Sequence, residues 1–472
     1  MLDILIHDTT LLTMTGKGVG AVEDGALGIK DNKIEVVGSS SQIINDYSAH
    51  RYIKAEEKVV MPGLIDSHIH SGLGILRGLS QDIDNWMEAG LWPFVRELKL
   101  EDKKAGSMVN IIEAVKAGTT TFCDYNSHMD ELVKNHARIG TRARIAETIN
   151  ELPENIERSE DEILYPLDKS LGNKKLEKNI DLIEKWHNQE NGRITCLFGP
   201  QGPDMVSREL LLKIKSLAEK YNTKIHMHVA QGQREIEQMI NRYNQRSIPF
   251  LEDLNYLDEK LMAVHLTEAT DNEAETLAKS GASLIICSGS IGIIDGIVPP
   301  LTKFLQHSHR AALGSDQAPG NNCNNMFNEM KFTSILNKCK AGDPTILPAA
   351  KVLRLATIEA ARAIGLEAEI GSLQAGKKAD LIIVNFQKPG LSPVINDPIR
   401  NIVPNLVYSA RGHEVNTVII DGNIVMEDRI IQSVDEEQHI QTANKKAKAL
   451  AARAKNNLDD HCLLKAMENN ML

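Results

Sequence analysis

Residues 59–70 read Val-Val-Met-Pro-Gly-Leu-Ile-Asp-Ser-His-Ile-His, an apolar run of strand length that ends on His68 and His70. Side chains at i and i+2 of a strand share a face, so both imidazoles can reach one ion. The run predicts a buried strand over Val59–Ile65. Similar runs follow at Thr119–Asp124, Arg142–Glu147, Ile194–Gly199, Lys224–His228, Met262–His265, Ser283–Cys287 and Ala311–Gly314, with helical stretches between them. Eight strands alternating with helices predict an α/β fold, a distorted (β/α)8 TIM barrel. A doubly wound sheet would need a glycine-rich phosphate turn after its first strand, and the chain offers none there.

Outside the barrel the pattern is β. Ile4-Leu-Ile, Leu11-Leu-Thr-Met, Gly25-Ala-Leu-Gly-Ile and Lys33-Ile-Glu-Val-Val are short apolar runs broken by turn residues. The same rhythm returns at Ala379-Asp-Leu-Ile-Ile-Val and from Val415 onward, where Asp421-Gly422 is a hairpin signal. The expected division is residues 1–56 and 366–435 for a small β-sandwich built from both termini, 57–365 for the barrel, and 436–472 for a C-terminal helix. The basic run in that helix (Lys445, Lys446, Lys448, Arg453, Lys455) reads as a solvated face.

A net charge of −11 argues against nucleic acid or an anionic membrane as partner, since both call for a basic footprint. The six cysteines are scattered and form no C-x-x-C pair, which reads as reduced thiols in a cytoplasmic protein. The first residues carry no basic n-region, so no signal peptide is expected. No segment reaches the roughly 20 apolar residues a membrane span needs. A large globular chain of this composition is expected to form a homo-oligomer.

Chemistry concentrates at strand ends. His68 and His70 close the first strand, His226 and His228 share a face of the fifth, His265 ends the sixth, and Asp316 follows the eighth. Either of His226 and His228 can ligate. An aspartate after a strand and a glycine is often only a helix N-cap, but several histidines on other strand ends turn the reading toward one divalent metal at the barrel mouth. Such an ion lowers the pKa of water to about 7. Asp316 is then the candidate to take the water proton, and His265 to polarise the group under attack.

These residues resemble the amidohydrolase superfamily, whose first-strand signature is similar to residues 59–70. Leu76-Arg-Gly-Leu, Trp86 and Leu91-Trp-Pro resemble the subgroup of methylthioadenosine/adenosylhomocysteine deaminases and triazine hydrolases. Ala311 to Phe332, with Asn321-Asn-Cys-Asn-Asn, is more similar to the atrazine chlorohydrolase and melamine deaminase branch. Ala356-Thr-Ile-Glu-Ala-Ala-Arg and Ile370-Gly-Ser-Leu-Gln-Ala-Gly resemble the closing segments, so the likeness spans nearly the whole chain. It implies one zinc or iron ion held by His68, His70, His228 and Asp316, with His265 a further ligand or a hydrogen-bonding group. Binuclear relatives use a lysine on the fourth strand, and Ile194-Thr-Cys-Leu-Phe-Gly has none.

The departures from that pattern are informative. The subgroup's His-x-x-Glu reads His228-Val-Ala-Gln231 here, and an amide is no acid at neutral pH. Val95 and Gln201 replace a ribose-gripping glutamate and a histidine, and Cys287-Ser-Gly-Ser replaces a His-Asn-Pro segment. Methylthioadenosine and adenosylhomocysteine are therefore not the expected substrates. The expected reaction is hydrolysis of a C–N bond of an amino-substituted triazine, pyrimidine, purine or pterin, with Gln231, Asp316 and His265 in catalytic positions. Trp86, Trp92, Gln201 and Asn321 are candidate substrate contacts. Glu235 and Glu268 are alternative sources of the acid, each also readable as a surface carboxylate. Alternatives on the same scaffold are chloride displacement, cyclic-amide hydrolysis, or a silenced member that only binds metal and ligand.

Overall fold

The computed structural model describes residues 1–83, 85–153, 164–458, 461–469 and 471. The chain opens with β1 (Leu2–Leu12), β2 (Ala21–Lys30), β3 (Lys33–Ser39), β4 (Ala49–Lys54) and β5 (Lys58–Pro62). Gly63 then breaks the opening stretch in two. A Cβ at Gly63 would stand 2.1 Å from Thr120 Oγ1, so only glycine fits where the chain crosses into the barrel. The single strand expected over Val59–Ile65 is thereby corrected. Val59 and Val60 pair with Thr10 and Leu11 outside the barrel, and the barrel begins at Leu64.

The barrel strands are β6 (Leu64–Ile69), β7 (Thr119–Asn126), β8 (Arg142–Ile149), β9 (Ile194–Cys196), β10 (Gly199–Pro200), β11 (Ile225–Val229), β12 (Leu261–His265), β13 (Ser283–Ile286) and β14 (Ala311–Leu313). One parallel sheet runs β6–β7–β8–β10 with β9 beside β8, and a second runs β11–β12–β13–β14. Parallel bridges Phe198–Ile225 and Ile69–Asp316 join the two sheets into a closed ring. Its interior is packed with Ile65, Cys123, Tyr125, Leu197, Met262, Val264 and Ile285, so the barrel is filled rather than hollow. The last bridge places Asp316 against the end of β6.

The terminal segments form one nine-stranded sheet, completed by β15 (Leu381–Asn385), β16 (Val415–Ile420), β17 (Asn423–Glu427) and β18 (Ile430–Ile431). Asp421 and Gly422 join β16 to β17 with φ of 51° and 77°, as a type I′ turn requires. The sheet curls until Ile34 of β3 and Ile419 of β16 share one apolar core with Leu27 and Leu381. Arg142 of β8 ties this sheet to the barrel. Its guanidinium reaches Asp380 at 2.6 and 3.1 Å and Asp421 at 3.3 Å, all buried.

The helix Glu436–Ala454 lays Ala443, Leu450 and Ala454 against Leu76, Trp86, Leu91 and Phe94. Within its basic run, Lys445, Lys448 and Lys455 are exposed, whereas Arg453 turns inward to the Asp102 carboxylate and the Glu97 carbonyl. Among the described residues no helix is long and apolar enough to cross a membrane.

Candidate metal centre

Four strand ends deliver five side chains to one point. His68 lies on β6 and His70 just past it, His228 lies on β11, His265 closes β12, and Asp316 follows β14. Ligating atoms of His68, His228 and His265, and those of His68, His70 and Asp316, lie within 4.8 Å of one another. His68 Nε2 and His70 Nε2 each stand 3.5 Å from Asp316 Oδ1.

Hydrogen bonds behind the cluster orient it. His70 Nδ1 donates to the Tyr125 carbonyl at 2.5 Å, and His228 Nδ1 donates to the Gln201 carbonyl at 2.6 Å. Each ring then carries its proton on Nδ1 and presents the Nε2 lone pair to the cavity, the tautomer a metal ligand requires. His68 Nδ1 contacts His226 Nε2 at 2.9 Å. His226 thus supports a neighbouring histidine, which separates its role from that of His228. Asp316 Oδ2 accepts the Ser290 hydroxyl, leaving Oδ1 toward the histidines.

The backbone makes room for this. A Cβ at Gly314 would stand 2.8 Å from His68 N, so only glycine lets the end of β14 pass β6 this closely. Two bonds then fasten the strands, Asp316 N to the His68 carbonyl at 2.8 Å and His70 N to the Asp316 carbonyl at 3.1 Å. His265 and Asp316 hold φ of 79° and 59°, left-handed values that cost an ordinary residue on the order of 1–3 kcal/mol. The surrounding packing imposes that geometry on two residues of the cluster.

Whether the cluster suits a cation can be judged from its free atoms. His68 Nε2, both nitrogens of His265, and Asp316 Oδ1 are buried without a hydrogen-bond partner among the described residues. Buried polar atoms left unpaired are costly, and here several converge on one carboxylate oxygen. Burial holds the imidazoles of His68 and His265 far below their ordinary range and pushes His228 down to about 4, so all three are neutral and able to donate a lone pair. Imidazole nitrogens with one carboxylate fit zinc or divalent iron.

In front of the cluster lies a cavity of about 570 Å³. His70, His228 and Asp316 form its floor, and Trp86, Trp92, Gln201 and Gln231 are on its wall with Met87, Leu91 and Ile294. Trp86 is also packed into the apolar cluster under the C-terminal helix. Asn321 is not on this wall. Its amide donates to the Ser315 carbonyl at 2.8 Å and to Glu329 at 2.7 Å, so the structure places this candidate substrate contact behind the wall and not on it.

Neither alternative acid stands free on this wall, although Glu235 lines it. Glu235 is buried and accepts from Ala230 N at 2.6 Å, Gln231 N at 2.9 Å and Ser247 Oγ at 2.5 Å, closing the start of helix Gly232–Tyr243. Glu268 is outside the cavity lining. Sequence reasoning missed Ser290, within the short helix Ser288–Ile294, and Asp295, which caps its end. Asp295 precedes a glycine and reads as a turn, and only the fold carries it to the cavity wall.

Comparison with known proteins bears on the family and the fold. The family model described as "Amidohydrolase family" matches residues 59–425. A 5'-deoxyadenosine deaminase of Methanosarcina acetivorans is 33% identical over 456 residues, covering 96% of this chain and 100% of that protein. A 5-methylthioadenosine/S-adenosylhomocysteine deaminase of Moorella thermoacetica is 33% identical, covering 92% and 96%. Among solved structures, an adenosine deaminase from Xanthomonas campestris with bound zinc superposes with a TM-score of 0.88 at 24% identity, covering 96% and 99% of the two chains. Atrazine chlorohydrolase from Arthrobacter aurescens, complexed with zinc, superposes at 0.82 with 19% identity, covering 94% and 100%. Those two likenesses speak for the barrel and its terminal sheet. The match across most of the chain and the full-length relatives establish that this protein belongs to the amidohydrolase family.

Proposed function

We propose that the protein is a metal-dependent hydrolase that removes the amino group of a nitrogen heterocycle, releasing ammonia. The observation that carries this reading is the convergence of unpartnered imidazole and carboxylate atoms at the floor of one cavity. His68, His70, His228 and Asp316 would hold a single zinc or iron ion, with His265 a further ligand or a hydrogen-bonding group. When bound, such an ion supplies the charge that acidifies a water molecule and polarises the ring carbon under attack.

The chain's own residues supply the rest. Asp316 Oδ1 faces the cluster while Ser290 occupies Oδ2, so the carboxylate keeps one orientation in which to receive a proton from water. His265 is neutral, buried and beside it, placed to stabilise charge on the ring as it develops. The Gln231 amide on the cavity wall can give or accept a hydrogen bond to the ring without transferring a proton. Trp86, Trp92 and Leu91 supply flat and apolar surface for an aromatic heterocycle, and a cavity of about 570 Å³ suits a small molecule of that kind.

The residues Gln231, Gln201 and Val95 argue against methylthioadenosine and adenosylhomocysteine, whereas the full-length relatives carry nucleoside-deaminase names, one of them for these two compounds. Adenosine-type purines therefore belong among the rings tested, beside triazines, pyrimidines and pterins. The uncombined cysteines and acidic charge accord with a cytoplasmic homo-oligomer acting on a small molecule without nucleic acid or membrane. The test is ammonia release by metal-quantified protein across that panel. Turnover of one ring class, lost on chelation, supports the reading. Silence with metal bound moves it to chloride or cyclic-amide hydrolysis.

A further inference from the structure

Hydrolytic deamination forms a C–O bond from water and breaks the C–N bond with its electron pair on nitrogen. Of the two protons that water brings, one ends on a ring nitrogen and one leaves with ammonia. Some group must carry a proton to nitrogen, and Gln231, which occupies the wall beside His228, is an amide and cannot.

Among the described residues, the carboxyl groups on the cavity wall can be taken in turn. Asp316 belongs to the metal cluster. Asp204 is held by the Arg234 guanidinium, and Glu235 is spent on two backbone amides and Ser247. Glu88 accepts from the Tyr165 hydroxyl at 3.3 Å, and Glu237 is exposed on its helix and contacts Gln233. Asp295 remains. Its Oδ2 is buried without a hydrogen-bond partner among the described residues. Its Oδ1 lies against Gly232, where a Cβ would stand only 3.5 Å away, next in sequence to Gln231.

We propose that Asp295 is the acid that delivers the proton to the departing nitrogen, a role that rests on the deaminase reading above. The carboxyl enters the reaction protonated and gives its proton to the departing nitrogen as the C–N bond breaks; Asp316 takes the two protons of the attacking water in turn, passing the first to the ring nitrogen and the second back to Asp295, so that the carboxyl is recharged. Its position is fixed by the same short helix that carries Ser290, so the group that orients Asp316 and the acid share one rigid element. The charged groups facing Asp295 are Glu268, Asp316 and Arg234. Burial first, then the two carboxylates, push the Asp295 carboxyl up to about 7, and Arg234 opposes them. An acid poised near neutral pH is matched to proton transfer under ordinary conditions.

The experiment compares wild type, Asp295→Asn and Asp295→Glu in metal-loaded protein, with two readouts. In the first, 13C NMR of aspartate-labelled protein identifies the carboxyl resonance lost in Asp295→Asn and titrates it. Titration near neutral pH is expected, and titration in the ordinary carboxylate range near 4 overturns the proposal whether or not a substrate has been found. In the second, kcat for ammonia release from the best ring falls about 10²–10⁴-fold in Asp295→Asn with metal content unchanged, and partly recovers in Asp295→Glu. Wild-type activity declines above neutral pH as the acid ionises, and that limb disappears in the variant. A kcat within about threefold of wild type with the limb intact overturns the proposal. Failure of wild type to release ammonia from any ring counts instead against the deaminase reading, and the titration decides the state of Asp295 independently.

Discussion

His70 Nε2 and His228 Nε2 face each other at 3.3 Å while their Nδ1 atoms are bonded to the carbonyls of Tyr125 and Gln201. With both protons committed behind the rings, two lone pairs point at one another. Neutral lone pairs at that distance repel, and a cation between them converts the contact into attraction. The pairing therefore reports a metal centre more directly than the number of histidines does.

Removing a ligand should remove the metal. His228→Ala and Asp316→Asn are expected to lower metal content per chain and to abolish chelator-sensitive turnover, the latter by at least the 10²–10⁴-fold associated with a lost proton acceptor. Elemental analysis and steady-state kinetics on the same preparation check both.

His226 should matter without touching the ion. Its bond to His68 Nδ1 at 2.9 Å fixes that ring, and partners of this kind are worth about 10–100-fold in metal affinity or activity. His226→Phe is expected to weaken metal binding in that range in a competition titration with a chelating dye, while thermal unfolding of the metal-loaded protein stays cooperative.

The barrel and the terminal sheet should separate energetically at Arg142. Asp380→Ala leaves a buried guanidinium short of its bidentate partner, which costs about 3–5 kcal/mol. Urea unfolding of the variant measures the loss. KM is expected to change little, because this ion pair lies outside the cavity lining.

Glu329 gives a pH test with a definite sign. Burial raises its carboxyl to about 8, while the unfolded chain titrates near 4.5. Between these values the folded state binds the proton more tightly, so the group's contribution is complete below about 4.5 and is lost as pH rises to about 8. Glu329→Gln is expected to flatten the alkaline decline in unfolding free energy, measured by urea titrations at constant metal saturation. An unchanged slope would refute the assignment.

Much of this site is legible in the sequence because strand ends are local features. His68 and His70 announce themselves by alternation, and Asp316 by the apolar run Ala311–Leu313 with Gly314 before it. The break at Gly63 is not legible, since the reason for it, Thr120, lies on a neighbouring strand. His226 and His228 carry the same periodicity, and only their partners, His68 and the Gln201 carbonyl, tell them apart. Asn321 reads as a site residue by its neighbours in sequence, yet its amide is consumed by Ser315 and Glu329. Asp295 carries no local signal, because its chemistry comes from burial beside a helix more than fifty residues away in the chain.

The most direct test of the account is metal content measured together with ammonia release, before chelation, after it, and after zinc or ferrous iron is restored. About one ion per chain is expected, with turnover that falls to background on chelation and recovers on restoration, and none of this in His228→Ala. Ammonia release that persists in metal-free protein, or an ion retained in full by His228→Ala, would contradict it.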